Sequence, residues 1–312
     1  QKVLRPGRSE PRTRFDGLGF LSVAFGSVAL LYGVSAVTSG DTTTWNVLVL
    51  CGAVALLLAF VVIELVTVRR GLTPLLDLRR FRDRTFTWST LALICQTFAT
   101  FGILFLIPIY LQTMRQQTAL YSGSVQAAQA LATLLVVPVA GRLSDKIGPR
   151  PIALAGLIVM TGAVALLTTL TLTTPIALFV GILFLLGCAG GLSGQITVAA
   201  MSQVRSEEQQ AVAHSSTLMS VLRASAAPLG VAMLSSLMQA QSQQYRASLA
   251  APGIGGELLT QQSALLAMHD SFLVALGFAL VALIAMYCVP KRKPLVKQRL
   301  EDAQIEEASV PL

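Results

Sequence analysis

The longest uncharged stretch in this chain, residues 151–204, limits the possible folds most strongly. It contains 54 consecutive residues without Asp, Glu, Lys or Arg. A single α-helix of that length would extend about 81 Å, whereas the hydrocarbon core of a bilayer is about 30 Å thick. The stretch must therefore fold back once. The Thr-rich turn before Pro175 is the natural position, because proline suits the first turn of a new helix. The pattern predicts two antiparallel membrane helices.

Further uncharged stretches predict additional membrane helices. Apolar residues make up 54% of the 312-residue chain and charged residues 12%, with a mean hydropathy of +0.69. This composition excludes a soluble globule, a disordered chain and a disulfide-stabilised mini-protein. The predicted helices, named A to H, cover about 17–38, 46–68, 85–114, 116–141, 151–170, 175–199, 212–238 and 270–289. The predicted fold class is all-α, a polytopic membrane protein with eight transmembrane helices.

Basic residues concentrate on one side of these helices. Loops on one side, including both chain ends, hold 20 of the 23 Lys and Arg residues, and loops on the other side hold two. Because basic loops stay in the cytoplasm, the sequence predicts a multi-pass protein of a bacterial-type inner membrane with both ends of this chain cytoplasmic. Orientation explains the net charge of +8, so no nucleic-acid partner is expected.

Residues that could carry chemistry form no enzyme or metal motif. There is no HExxH, GxSxG or P-loop, and His214 and His269 are predicted at opposite membrane faces. The four cysteines lie in apolar stretches without CxxC spacing, which favours small buried residues over metal ligands or disulfides. We expect no enzymatic activity, no cofactor and no metal.

The loop between helices D and E carries the most specific pattern in the chain. Its sequence, GRLSDKIGPR over residues 141–150, has two readings: an ordinary tight cytoplasmic turn, or a signature loop. It resembles the G-x-L-x-D-x-x-G-x-R/K loop of the major facilitator superfamily. The matching positions are Gly141, Leu143, Asp145, Gly148 and Arg150. The resemblance implies that this loop acts as a gate that braces one cytoplasmic-side conformation of a rocking transporter.

Elementary chemistry suggests how such a loop would work. Asp145 is expected just before helix E, where a carboxylate can accept hydrogen bonds from unpaired backbone N–H groups. Pairing with Arg142 or Arg150 is also within reach. Gly141 and Gly148 are expected to allow left-handed turns and close approach of the chain.

Other segments extend the resemblance along most of the chain. These segments are residues 15–20, 74–78, 81–86, 108–112 and 222–230. Together they resemble the fourteen-helix drug:proton antiporter family of multidrug efflux permeases, with this chain similar to helices seven to fourteen. The start at Gln1 rather than Met agrees with the expectation of a longer protein. The resemblance implies alternating-access export, with the lipid bilayer, a drug-like substrate, protons and a missing N-terminal six-helix half as partners.

Polar residues within the predicted spans are the candidate cavity or coupling residues. Arg223 is the only basic one; a cation in the bilayer costs about 2.5–3.5 kcal/mol on insertion scales, so it faces either a cavity or a structural partner. The uncharged ones either line a cavity or form inter-helix hydrogen bonds. They are Gln96, Thr97, Thr100, Gln126, Gln129, Thr133 and Gln195. Glu64 and Asp270 are expected near the membrane faces, so no mid-membrane proton carrier is predicted, and the coupling carboxylate is expected in the missing half.

Helices C–D–E and F–G–H are expected to form two inverted repeats. A Gly-xxx-Gly spacing in helix F permits close packing. The G–H connection, 239–269, is expected to be an external loop with short surface helices. The predicted domains are a cytoplasmic basic segment (1–14), two linker helices and a loop (15–84), a six-helix transporter half (85–290) and a cytoplasmic tail (291–312). Two alternatives remain open: export of one specific metabolite or self-made antibiotic, and a non-transporting membrane scaffold or sensor.

Overall fold

The structure is a computed structural model that describes residues 83–201, 209–249 and 256–290, with isolated residues between 25 and 59. The helices in the three continuous ranges are α1 Arg84–Ile109, α2 Ala119–Ile147, α3 Pro149–Leu167, α4 Ile176–Ser193, α5 Gln195–Met201, α6 Gln209–Leu249 and α7 Gly256–Cys288. A π-helical turn, Tyr110–Met114, extends α1. With α4 and α5 counted together, six helices in this part of the chain are long and apolar enough to cross a membrane.

These six helices correspond, in chain order, to predicted helices C to H. Of helices A and B only isolated residues are described. The isolated described residues at 25–36 and 44–59 are helical, and Thr44–Ala53 is apolar but shorter than a membrane span. The all-helical membrane architecture is therefore confirmed, whereas the count of eight spans stays a prediction.

The junction between α2 and α3 is a single residue, Gly148, which corrects the predicted ten-residue loop. Helix α2 continues through Gly141 to Ile147, because nothing in that segment breaks a helix and the space beside Gly141 is open. Gly148 then adopts φ +91°, which side chains rarely tolerate, and Pro149 starts α3. Most of the signature sequence is therefore the last two turns of α2.

Helices α6 and α7 are longer than predicted, and the predicted external loop at 239–269 is wrong for most of its length. Helix α6 reaches Leu249 and α7 begins at Gly256. The flanking segments are rich in Ala, Leu and Gln, which are good helix formers, so they continue the spans instead of forming separate surface helices. At 41 and 33 residues, these helices are about 60 and 50 Å long, well beyond the hydrocarbon thickness.

The helices pack as two three-helix repeats, α1–α3 and α4–α7, in which the first helix of each repeat packs on the other two helices of the opposite repeat. Helix α1 packs mainly on α6 and α7, and correspondingly α4 packs mainly on α2 and α3. The third helices of the two repeats, α3 and α7, pack on each other. One pair breaks the symmetry, because α6 and α7 pack extensively whereas α2 and α3 barely touch beyond their junction. As a result α2 is the least buried of the six spans.

Small residues allow the close crossing of α1 and α6. A Cβ atom placed on Gly230 of α6 would overlap the carbonyl oxygen of Phe98, and one on Gly102 of α1 would overlap Leu234. The ring of Phe98 also stacks on that of Phe278, with centroids 4.5 Å apart, which ties α7 to the same crossing.

The cysteines are less buried than expected. All four are free; Cys95 is buried and Cys188 is half-buried, but Cys51 and Cys288 are exposed. The prediction of burial is wrong for the last two, because an apolar helix in a membrane protein also turns apolar residues outward, toward lipid. An apolar sequence context therefore does not imply burial in this class of protein.

Candidate functional site

An open groove of about 960 Å³ runs along one face of α2 and is closed on one side by Leu104 of α1. Its walls are uncharged and mostly apolar. The lining residues are Leu104, Gly123, Gln126, Ala127, Gln129, Ala130, Thr133, Leu134, Val137 and Pro138. The α2 residues extend over about 22 Å along the helix axis, most of the thickness of a bilayer core. A groove of this size and position can hold a small amphipathic molecule.

Two of the predicted cavity residues, Gln126 and Gln129, lie together in this groove. They are three positions apart on α2, so they share a helix face as the spacing predicts. Both side chains are half-buried, and neither makes a hydrogen bond with a described residue. The Oε1 atom of Gln129 is fully buried without a partner. Two unused carboxamides therefore stand in an otherwise apolar wall.

The floor of the groove is held by the crossing of α2 with α4. The Thr133 hydroxyl lies 2.9 Å from the carbonyl oxygen of Gly187 and 3.0 Å from that of Gln129. A Cβ atom on Gly187 would overlap the Gln129 carbonyl oxygen, and one on Gly191 would lie 2.9 Å from Val136. The Gly-xxx-Gly spacing of helix F thus serves the close packing that the sequence predicts.

Two other polar candidates, Gln96 and Thr100, are packed inside the bundle and do not line the groove. The Nε2 atom of Gln96 lies 3.3 Å from the Thr100 hydroxyl, which in turn lies 3.9 Å from the Met160 sulfur. Gln96 is only 6% exposed. The Gln96–Thr100 hydrogen bond joins two residues of α1, and of these two contacts only the one between Thr100 and Met160 crosses to another helix, so the choice between cavity lining and inter-helix hydrogen bonding stays a prediction. Gln195 is half-buried at the start of α5, outside the groove lining, and makes no hydrogen bond with a described residue.

The signature residues lie at the C-terminal end of α2, called the basic end of the bundle here, and at the start of α3. Asp145 is exposed in the last turn of α2 and has no hydrogen bond or ion pair within the described part of the chain. Its predicted position at the N-terminus of helix E is wrong, because α2 continues past it. Leu143 is also exposed. Gly148 is buried, and its backbone N–H donates to the carbonyl oxygen of Ser144 at 2.8 Å.

Arg150 is the signature residue with a defined partner. Its Nη2 atom donates to the carbonyl oxygen of Tyr287 at 2.8 Å, so the first turn of α3 is tied to the last turn of α7. A cation at a helix C-terminus is favourable, because the unpaired carbonyl groups there carry partial negative charge. The predicted pairing of Arg150 with Asp145 is not observed between these described residues.

Arg223 lies on an exposed face of α6, fourteen positions after the helix begins. Its guanidinium has no ion pair or hydrogen bond within the described residues. No described residue therefore acts as its structural partner, and the role of Arg223 as a cavity-lining cation stays a prediction. Asp270, in contrast, accepts a 2.8 Å hydrogen bond from the Tyr245 hydroxyl. Asp270 is the first residue of predicted helix H, but α7 already begins at Gly256, so Asp270 lies within the helix and not at its start.

A polar cluster at the end opposite the signature loop was not predicted. The hydroxyl of Tyr110 donates to the carbonyl oxygen of Thr171 at 2.7 Å, and the Arg115 guanidinium lies 5.8 Å from the Tyr110 ring centre. His269 Nε2 lies 2.6 Å from the carbonyl oxygen of Leu170. These contacts fasten α1 and α7 to the turn between α3 and α4. The available signal was Arg115, one of only two basic residues in the predicted loops of that side, the other being Arg246.

Comparison with known proteins identifies relatives over most of the chain. The family model described as Major Facilitator Superfamily matches residues 9–231. A Bacillus subtilis (strain 168) protein named uncharacterized MFS-type transporter YhcA is 40% identical over 166 residues, covering 53% of this chain and 30% of the relative. Multidrug transporter protein MdtP of the same organism is 28% identical over 228 residues, covering 73% and 41%.

A further relative is the multidrug resistance protein B homolog of Mycobacterium tuberculosis (strain CDC 1551 / Oshkosh), 28% identical over 244 residues, covering 76% of this chain and 43% of the relative. In these three alignments the matched region is therefore between 30% and 43% of the relative's length. This chain is a multi-pass helical membrane protein whose relatives are named transporters rather than enzymes.

Proposed function

The chain belongs to the Major Facilitator Superfamily, and on that basis we propose that it is the C-terminal part of a secondary transporter that exports drugs or other small amphipathic molecules in exchange for protons. The observation that carries the proposal is the groove along α2. It is wide, mostly apolar and open along one side of a six-helix bundle. Such an open half-cavity needs a second bundle to close it, as alternating access between two halves requires.

The missing partner in this proposal is an N-terminal six-helix half of the same chain. Helix α2 is the least buried span and α6 also turns an exposed face outward at Arg223, so both helices offer surface to a second bundle. The proposal assigns the chain helices seven to fourteen of a fourteen-helix antiporter, with residues 15–84 as two linker helices and 85–290 as the C-terminal half. The chain covers 41% and 43% of the length of the two multidrug relatives, which agrees with this assignment.

For the signature residues, the proposal is a gate at the basic end. Leu143 and Asp145 are exposed and Gly141 is half-buried on the last turns of α2, where Gly141 and Asp145 share one face and Leu143 points to the other side. The proposal is that the Gly141–Asp145 face is available to a moving neighbour. Gly148 joins the end of α2 to α3, and Arg150 anchors the start of α3 to α7 through its hydrogen bond with Tyr287. With both chain ends cytoplasmic, this gate faces the cytoplasm. Proton coupling belongs to a carboxylate of the N-terminal half, since no acidic side chain lines the groove among the described residues.

Efflux from living cells tests the proposal. The full-length protein is expressed in bacteria that lack their main drug exporters, and the cells are loaded with an uncharged and a cationic lipophilic dye. We expect energised cells to expel at least one dye, and a protonophore to stop the expulsion. Correctly inserted protein that expels neither dye would contradict drug export, and secretion of a single cell metabolite would favour the specific-exporter alternative.

A further inference from the structure

We propose that the groove selects uncharged amphipathic molecules that carry an amide, carbonyl or hydroxyl group, and discriminates against permanently cationic ones. This inference rests on the proposed export function and narrows its substrate class. It is argued from three properties of the groove: the absence of charge in its described lining, the two unused carboxamides, and the exposed apolar side chains on either side of them.

The described lining contains no charged side chain. A cation that leaves water for a mostly apolar groove loses its hydration and needs a carboxylate or similar partner to compensate. The nearest charges on α2 are Arg142, Asp145 and Lys146, the first of which lies one turn beyond Pro138. Two cations against one carboxylate give this end a net positive charge, which repels a cationic ligand.

Helix α1 does not change this balance. Its one charged residue is Arg84, twenty positions before Leu104 and therefore about 30 Å along the axis from the groove. That residue is also positive. Both helices that form the groove thus lack a carboxylate beside it in the described structure, and neither offers a counter-ion to a cationic drug.

Neutral hydrogen bonding, in contrast, is available. The carboxamide of Gln126 supplies donors and an acceptor, and the Nε2 group of Gln129 supplies donors, whereas Gln129 Oε1 is buried; neither side chain is used by a described residue. The Thr133 hydroxyl hydrogen is directed to backbone carbonyl oxygens of the α2–α4 crossing, so it does not compete for a ligand. A ligand carbonyl group beside the two glutamines can accept from Gln129 Nε2, and a ligand amide can exchange hydrogen bonds with the Gln126 carboxamide.

Apolar contact completes the fit. Leu134 and Val137 are 70% and 51% exposed, although both are large apolar side chains facing the groove. They lie five and eight positions beyond Gln129 on α2, about one and two turns, and line the same groove. A molecule with one neutral polar end and an apolar body of about 10 Å therefore matches the order of side chains along the helix.

Matched fluorescent probes test the inference on the full-length protein purified in lipid nanodiscs. Three probes share one alkyl-linked nitrobenzoxadiazole fluorophore and end in a primary carboxamide, a trimethylammonium or a carboxylate. We expect saturable binding of the carboxamide probe, at least about tenfold tighter than either charged probe. Gln129→Leu should weaken carboxamide binding by about tenfold, the loss of one well-formed hydrogen-bonding group.

The isosteric change Gln129→Glu makes the test sharper. It should weaken carboxamide binding and raise the affinity for the trimethylammonium probe, because it supplies the missing carboxylate. Gln112→Glu is the matched control, since Gln112 is exposed in the π-helical turn and outside the groove lining, and it should change neither affinity. Circular dichroism establishes that each variant keeps its helix content.

Three results would overturn the inference. They are tighter binding of a charged probe than of the carboxamide probe, no saturable binding of any probe, and an affinity for the carboxamide probe that is unchanged in Gln129→Leu. None of these would bear on dye expulsion by the full-length protein in cells, which is measured independently. Failure of the substrate class and failure of the export function are therefore distinguishable.

Discussion

The guanidinium of Arg150 donates a 2.8 Å hydrogen bond to the carbonyl oxygen of Tyr287. This bond joins the first turn of α3 to the last turn of α7, the third helices of the two repeats. Arg150 is half-buried, and its Nε atom is buried without a partner. The contact places the last position of the signature sequence at the symmetric α3–α7 interface, where it fixes the basic end of one repeat against the other.

Removal of this contact should loosen the basic end of the bundle. We expect Arg150→Ala to lower the free energy of unfolding by about 1–2 kcal/mol, the lower part of the range for hydrogen bonds to charged groups, because the site is partly exposed. Arg150→Lys should lose less, since an ammonium can still reach the helix terminus. Thermal unfolding in detergent measures both. Arg142→Ala, an exposed arginine seven positions before the α3 start, is the control; an equal loss there would contradict the specific role of Arg150.

The α2–α4 crossing should tolerate no side chain at Gly187. A Cβ atom there overlaps the Gln129 carbonyl oxygen and lies 2.7 Å from the Ala132 Cβ, so Gly187→Ala should cost about 1–3 kcal/mol by forcing the helices apart. Gly181→Ala in the same helix meets nothing within 4 Å and should be neutral or slightly stabilising. Equal thermal stability of the two variants would show that the crossing is looser than described.

The two signature glycines should differ in their response to alanine. Gly148 has φ +91° and ψ 159°, a conformation that is essentially restricted to glycine, so Gly148→Ala should cost about 1–3 kcal/mol. Gly141 is helical with open space beside it, so Gly141→Ala should stabilise the folded chain by about 0.5–1 kcal/mol.

Dye efflux by the full-length Gly141 variant then tests the gate. The gate proposal predicts that Gly141→Ala impairs efflux although it does not reduce stability, because the added methyl group stands where a moving neighbour must approach. Normal efflux by this variant would remove Gly141 from the gate. Impaired efflux with an unfolding temperature that is raised or at least not lowered would support it.

Arg223 should matter for transport and not for stability. It is exposed and has no partner among the described residues, so Arg223→Ala should leave the unfolding temperature unchanged. We expect efflux by the full-length protein to fall about tenfold or more, the effect of losing one charged contact in a desolvated cavity. Arg246→Ala, an exposed arginine near the other end of α6, is the control. Normal export by the Arg223 variant would remove this residue from the mechanism.

Charge spacing predicted the six described spans well, because a charge within the bilayer is costly and marks where each span must end. It could not place the ends of α6 and α7. Their Gln-rich and Ala-rich extensions carry few charges and are good helix formers, so nothing in them separates a membrane helix from a helix that projects beyond the membrane.

The site was predictable in its residue types and not in its geometry. Gln96 and Gln126 are the same residue type in similar apolar surroundings, yet one is packed inside the bundle and the other lines the groove. In helices that are apolar on every face, periodicity carries little information about which face is covered. The partner of Arg150 was also hidden, because a backbone carbonyl group, such as that of Tyr287, leaves no signal in the sequence.

Proton-driven dye transport in liposomes tests the proposed role of this chain most directly. The full-length protein and the 312-residue chain are reconstituted in parallel, and a proton gradient is imposed across each membrane. We predict that the full-length protein moves an uncharged amphipathic dye against its gradient and stops when a protonophore is added, whereas the chain alone moves none. Proton-coupled dye transport by the chain alone would contradict its assignment as one half of a transporter.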